Sequence, residues 1–166
     1  MANKREKLSA MKPEEADKAK TIMISPHVVV AEDDDAMRQL LASALEKEGY
    51  DVIECSNGST LCSMMTNNYH DNEHHKINLI ISDIRMPGFT GLEFLAMVRE
   101  IHQSIPVIII TAFGDEETHA LAHRLGACNI FDKPFDIDHL LNAVRKIIPS
   151  EIDNEDIYGE RRKHIK

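Results

Sequence analysis

Long apolar runs are missing from this chain. None approaches the roughly 20 residues that a membrane-crossing helix needs, and the N-terminus opens on Asn3-Lys-Arg-Glu-Lys7 without developing a hydrophobic signal core. The expectation is a soluble, cytoplasmic protein with no membrane partner. Cysteine is scarce too. Cys55, Cys62 and Cys128 are an odd three, which forms no even-numbered disulfide framework and suits free thiols in a reducing compartment. Positive charge is short beyond the first twenty residues: these hold six Lys/Arg against four Asp/Glu, so the other 146 carry −11 toward a chain total of −9. An acidic body disfavours a phosphate backbone, and no helix-turn-helix pattern, zinc-finger spacing or basic stripe is present. Direct nucleic-acid binding by this chain is therefore not expected.

What the chain has is alternation. Its 166 residues suffice for one domain with a proper core plus tails. The domain is expected over residues 27–148, between a charged N-terminal extension (1–26) and a C-terminal tail (149–166). Apolar runs predict strands at His27–Ala31, Val52–Cys55, Ile77–Ser82, Val107–Ile110 and Asn129–Phe131. Helical periodicity falls between them. Met37, Leu40, Leu41, Ala44 and Leu45 share one face after an Asp34 or Asp35 cap, with Gly49 as the stop. Further helices are expected at Ser59–Met65, at Gly91–His102, from about Asp115 to Gly126, and after the Asp136 cap, where Leu140, Leu141, Val144 and Ile148 point inward. The runs are too apolar for a one-sided sheet, so the expected fold is α/β, a doubly wound parallel sheet of five strands with helices on both faces. Ligands of such sheets bind beyond the carboxyl ends of the strands, where strand order reverses.

The chemistry-bearing residues fall at those ends. Glu32 and Asp33 follow the first strand, Asp83 the third, Thr111 the fourth and Lys133 the fifth. Three carboxylates brought together raise one another's pKa, and a hard divalent cation with oxygen ligands is the natural compensation. Taken alone, Glu32 to Asp35 reads equally well as an acidic helix cap, Thr111 as a β-branched strand end and Lys133 as a solvated lysine. Only their joint placement makes a site for a cation and a phosphoryl group.

From His27 to Ile148 the chain resembles the receiver domain of bacterial two-component response regulators. The motifs are Ala31-Glu-Asp-Asp-Asp-Ala-Met-Arg38, Ser82-Asp-Ile-Arg-Met-Pro-Gly88 with the turn to Gly91, Thr111-Ala112 and Lys133-Pro-Phe135. The resemblance implies a flavodoxin-like strand order 2-1-3-4-5 and a regulatory phosphoacceptor, not an enzyme acting on small substrates. It implies that Asp83 takes a phosphoryl group from a phosphohistidine on a sensor histidine kinase or phosphotransfer protein, and that an unidentified protein target reads the change. Asp33 and Asp83 would ligate Mg2+ (or Mn2+) directly, Glu32 through water, and Arg85 through its backbone carbonyl. Thr111, Ala112 and Lys133 would contact the phosphoryl group, and the Lys133–Pro134 bond would be cis. Arg85 and Phe113 would flank the approach of hydrolytic water and tune dephosphorylation.

Two departures stand out. The family's switch ring, three residues before the lysine, is here Ile130, and a period-2 strand turns the neighbouring Phe131 to the opposite face. The connection between Gly58 and Ile77 is long and polar, with His70, Asp71, Glu73, His74 and His75. A metal such as zinc or nickel could use those side chains, but without helical i, i+4 spacing a solvated loop is the expectation. The tails offer Lys4–Lys20 as a charged arm and Ile152, Ile157 and Tyr158 for docking on a partner or a second subunit, as in a homodimer.

The same residues bear on other functions. Thr111-Ala-Phe-Gly114 and Asp83-Ile-Arg-Met-Pro87 also suit a receiver that is part of a longer DNA-binding or ATPase regulator. A haloacid-dehalogenase type phosphatase needs a second Asp two residues past its nucleophile, and position 85 is Arg. A flavin-binding flavodoxin relative needs a Ser/Thr/Gly-rich phosphate loop after the first strand, which is absent.

Overall fold

The computed structural model describes residues 25–66, 76–102 and 104–149. Five strands, β1 (His27–Ala31), β2 (Asp51–Cys55), β3 (Ile77–Asp83), β4 (Val107–Thr111) and β5 (Asn129–Asp132), alternate with α1 (Asp35–Lys47), α2 (Gly58–Thr66), α3 (Gly91–Ile101), α4 (Glu116–Arg124) and α5 (Ile137–Ile147). All pairings are parallel, in the order β2-β1-β3-β4-β5. The chain winds outward from β1 in both directions, so strand order reverses between β1 and β3, and the crevice lies there.

Side chains alternate across the sheet as the strand period demands. Val29, Ala31, Ile80 and Ile109 pack on one side with Leu61 and Met65 of α2, Phe94, Leu95 and Val98 of α3, and Ala122 of α4. Val28, Val30, Ile81, Ile108 and Ile110 pack on the other with Leu41 and Leu45 of α1 and Leu140, Leu141 and Val144 of α5. Both faces of β1, β3 and β4 are thereby buried, which is why those strands read as unbroken apolar runs. Leu40 corrects the expected inward face of α1: it is 51 % exposed, while Leu41, Ala42 and Leu45 turn inward. The apolar stripe is narrower than its five-residue pattern suggested.

Helix ends follow their local chemistry. Asp34, rather than Asp35, caps α1 by accepting the Met37 N–H at 2.8 Å. Thr90 and Glu93 close a capping box on α3. Asp115 caps α4 and Asp136 caps α5. Gly88, at φ +86°, makes the left-handed turn that lets β3 feed α3.

Both ends of the described fold lie at the sheet's amino end. His27 starts β1, and at the start of β2 the Tyr50 hydroxyl donates to the Ile148 carbonyl at 2.8 Å, holding the exit of α5 beside the entry of β1. No described helix is long and apolar enough to cross a membrane. Cys55 and Cys62 are buried free thiols, and burial pushes Cys55 up to about 11; Cys128 is exposed. The histidine-bearing stretch His70–His75, the arm Lys4–Lys20 and the tail residues Ile152, Ile157 and Tyr158 lie outside the described residues.

Candidate functional site

At the carboxyl end of the sheet, Glu32, Asp33 and Asp83 each present a carboxylate oxygen within 4.8 Å of the others. Among the described residues this is the only cluster of metal-ligating side chains. Two of its members are withdrawn from water, Glu32 at 1 % and Asp83 at 5 % exposed, whereas Asp33 is exposed at the rim. Burial of that kind needs compensation, and Lys133 supplies it. Its Nζ lies 2.6 Å from Glu32 Oε2 and 3.3 Å from Asp83 Oδ1. The Lys133–Pro134 peptide is cis.

Backbone donors complete the frame. Arg85 N–H donates to Asp83 Oδ2 at 3.0 Å, and Asp34 N–H donates to Glu32 Oε1 at 3.3 Å. The other Asp83 oxygen points at Lys133. Gly91 abuts the Asp83 carbonyl so closely that an added Cβ would sit 2.3 Å from that oxygen, so the start of α3 packs against the loop after β3 only because position 91 has no side chain. Thr111 is buried on the neighbouring strand, one residue past the Ile110 that pairs with Asp83. Its hydroxyl accepts the Phe113 N–H at 3.0 Å, leaving its own proton to donate. Ala112 is exposed in the same loop.

The electrostatics fit a cation. Burial pushes the Asp83 and Glu32 carboxyls above their ordinary range, against the lowering effect of Lys133, and each is raised further by a neighbouring carboxylate. For Lys133, burial alone would depress the ammonium, but Glu32 and Asp83 outweigh it and hold it above its usual value. A donor set of hard oxygens with surplus negative charge at one rim suits a small divalent ion. These raised carboxyls also carry a stability cost. A group whose folded pKa exceeds its unfolded one stabilises the fold below the unfolded value and loses that contribution as pH rises through the folded value. In chelator at neutral pH, Asp83→Asn should therefore melt a few degrees above wild type, with the advantage shrinking as pH falls through the carboxylate range. Thermal unfolding across that range measures it, and equal melting at neutral pH would count against the charge crowding.

Arg85 and Phe113 meet each other, which their sequence positions did not reveal. The guanidinium carbon lies 3.6 Å from the ring centroid, a cation–π contact spanning the two loops that border the site. The ring is 56 % exposed. Ile130 is partly buried on the α2–α4 side and Phe131 packs on the α5 side, its ring 5.7 Å from Phe135. No ring takes the Ile130 position. Two further contacts join residues that the sequence does not pair: Lys133 with Glu32, 101 residues apart, and Arg38, whose Nη1 donates to the Glu32 carbonyl at 2.8 Å. A hollow of about 380 Å³ lined by Asp34, Ala36, Met37, Leu40 and Lys133 opens beside the crevice, which accounts for the exposure of Leu40.

Known proteins agree with this geometry. Sporulation initiation phosphotransferase F of Bacillus subtilis is 33 % identical over 127 residues, covering 76 % of this chain and 97 % of its own. DNA-binding transcriptional regulator NtrC of Escherichia coli is 34 % identical over 121 residues, 73 % of this chain but only 24 % of its own length. The Francisella response regulator 1452 receiver domain superposes with a TM-score of 0.66 at 27 % identity, over 74 % of this chain and 96 % of that one. Vibrio cholerae chemotaxis protein CheY4 gives 0.63 at 25 % identity, over 75 % and 99 %. The response regulator receiver domain model matches residues 28–145, and the chain belongs to that family.

Proposed function

We propose that Asp83 is the phosphoacceptor of this receiver. The observation that carries the reading is the placement of one buried, cation-compensated carboxylate, Asp83, between an ammonium and an acid rim. An Asp83 oxygen attacks the phosphorus of a phosphohistidine; the new O–P bond forms as the P–N bond breaks, and the imidazole leaves with the electron pair. Asp33 and Asp83 would hold the ion directly, with the Arg85 carbonyl and, through water, Glu32. A bound Mg2+ or Mn2+ supplies positive charge for the acids and the phosphoryl oxygens. Lys133 swings its ammonium from Glu32 toward the added oxygens, and the Thr111 hydroxyl donates to one of them.

The phosphodonor is a sensor histidine kinase or a phosphotransfer protein, and the hollow lined by Met37, Leu40 and Lys133 is open to it beside the crevice. Phosphorylation adds charge and acceptor oxygens that reset the Thr111–Gly114 loop, and a protein target reads the result in the cytoplasm. NtrC, of which the matched stretch is a quarter, favours a second reading in which residues 27–148 are the receiver of a longer regulator.

The roles separate by substitution. Asp33→Asn should bind Mg2+ at least about tenfold more weakly, since a directly coordinating charge is lost. Lys133→Ala should bind Mg2+ as well as wild type or better, yet respond poorly to phosphate. Calorimetric Mg2+ titration, followed by incubation with a small phosphodonor, distinguishes them; equal Mg2+ affinity in Asp33→Asn and wild type would remove Asp33 from the ligand set.

A further inference from the structure

Arg38 lies outside the phosphoryl chemistry, yet its guanidinium ties the backbone of the acid loop to β2 and the start of α1. The side chain is only 12 % exposed. Nη1 donates to the Glu32 carbonyl at 2.8 Å, Nε donates to Glu54 Oε2 of β2 at 3.2 Å, and Nη2 donates to Asp35. The remaining backbone group of Glu32 is also held, its N–H donating to the Cys55 carbonyl at 3.0 Å. Glu32 is thus fixed through its N–H by β2, through its carbonyl by α1, and through its carboxylate by Lys133 and the Asp34 N–H. Asp33, the exposed member of the acid cluster, hangs between Glu32 and the Asp34 cap with no side-chain bond of its own among the contacts described.

We infer that Arg38 is a positioning residue for the cation site: it sets the Glu32–Asp33 backbone so that both carboxylates converge on Asp83. The inference rests on the metal reading above and deepens it. Two physical effects of Arg38 oppose each other, and their signs differ. As a positive charge near three acids, the guanidinium repels a cation, so removing it should strengthen Mg2+ binding. As an anchor, it holds a carbonyl whose release lets Asp33 swing out, so removing it should weaken binding. Asp35 and Glu54, whose carboxylates are open to solvent, already offset the charge where the guanidinium sits, which leaves little net field at a distance. Outer partners that orient ligand-bearing residues change metal affinity about 10–100-fold. The anchoring effect therefore wins. A lysine keeps the charge but is a single point donor that cannot span three acceptors in a fixed fork.

The experiment is Mg2+ titration by calorimetry of wild type, Arg38→Met, Arg38→Lys and Asp33→Asn, with amide hydrogen exchange over residues 31–38 and thermal unfolding of each. Mg2+ affinity should fall about tenfold in Arg38→Met, and should fall in Arg38→Lys as well despite the retained charge, with faster exchange of the loop amides and unfolding temperatures near wild type. A merely structural role would lower the unfolding temperature and leave the affinity of the folded protein alone. Unchanged or tighter Mg2+ binding in a folded Arg38→Met would overturn the inference. A wild type that takes up no Mg2+ would instead refute the metal reading, and the exchange of the loop amides would then decide whether Arg38 sets the backbone.

Discussion

Incubated with acetyl phosphate and Mg2+, the protein should gain one phosphoryl group, and Asp83→Asn should gain none. The expected effect is complete because nothing else in the crevice can take over the chemistry. Glu32 is the more deeply buried acid, at 1 % exposed against 5 % for Asp83, and Lys133 holds it more closely, at 2.6 Å against 3.3 Å. Asp33 is exposed at the rim, outside the grip of Lys133 and the Arg85 N–H that orients an Asp83 oxygen at 3.0 Å. A carboxamide fills the Asp83 volume and still accepts that N–H, so the fold survives while the nucleophile is lost. Intact-mass measurement with and without chelator reads the result. Magnesium-dependent mass gain in Asp83→Asn would show that another side chain is the acceptor.

Loss of the phosphoryl group should be slow, and replacing the Arg85–Phe113 pair should speed it about tenfold or more. Hydrolysis needs a water in line with the phosphorus, and positioning supplies much of the barrier reduction in phosphoryl transfer. Here the bordering loops carry a guanidinium stacked 3.6 Å from a phenyl centroid. Neither group accepts a proton from water, and on the proposed reading the two together would cover the approach. The double variant Arg85→Asn with Phe113→Glu removes the stack and adds a carboxylate and an amide that can orient water. Since one contact makes the cover, Arg85→Ala or Phe113→Ala alone should expose the approach and yield part of the gain. Decay of phosphorylated protein in Mg2+ after donor removal measures all four, and an unchanged or slower rate in the double variant would end the proposal.

The β1, β3 and β4 runs announced a two-sided sheet because buried strands have no polar face to confuse the period, and the strand-end residues Glu32, Asp33, Asp83, Thr111 and Lys133 were legible because parallel topology sends all such ends to one side. Phe131 facing away from Ile130 followed from the same period of two. What stayed hidden depends on side-chain reach across elements. The Lys133–Glu32 bond, the Arg85–Phe113 stack and the three-way grip of Arg38 join residues whose separation in the chain carries no signal. The i, i+3 spacing of Asp35 and Arg38 was the one local cue to Arg38. Leu40 was misread because periodicity records which residues could share a face, not how wide a neighbour covers it.

The bond from the Tyr50 hydroxyl to the Ile148 carbonyl has an architectural consequence. Chain entering at residue 27 and chain leaving at residue 148 both attach at the amino end of the sheet, while Asp83 opens at the other. Whatever is joined to this module, before or behind, is attached at the end opposite the crevice. Such a layout lets one unit be fused freely: a matching stretch makes up nearly the whole of one relative and a quarter of another.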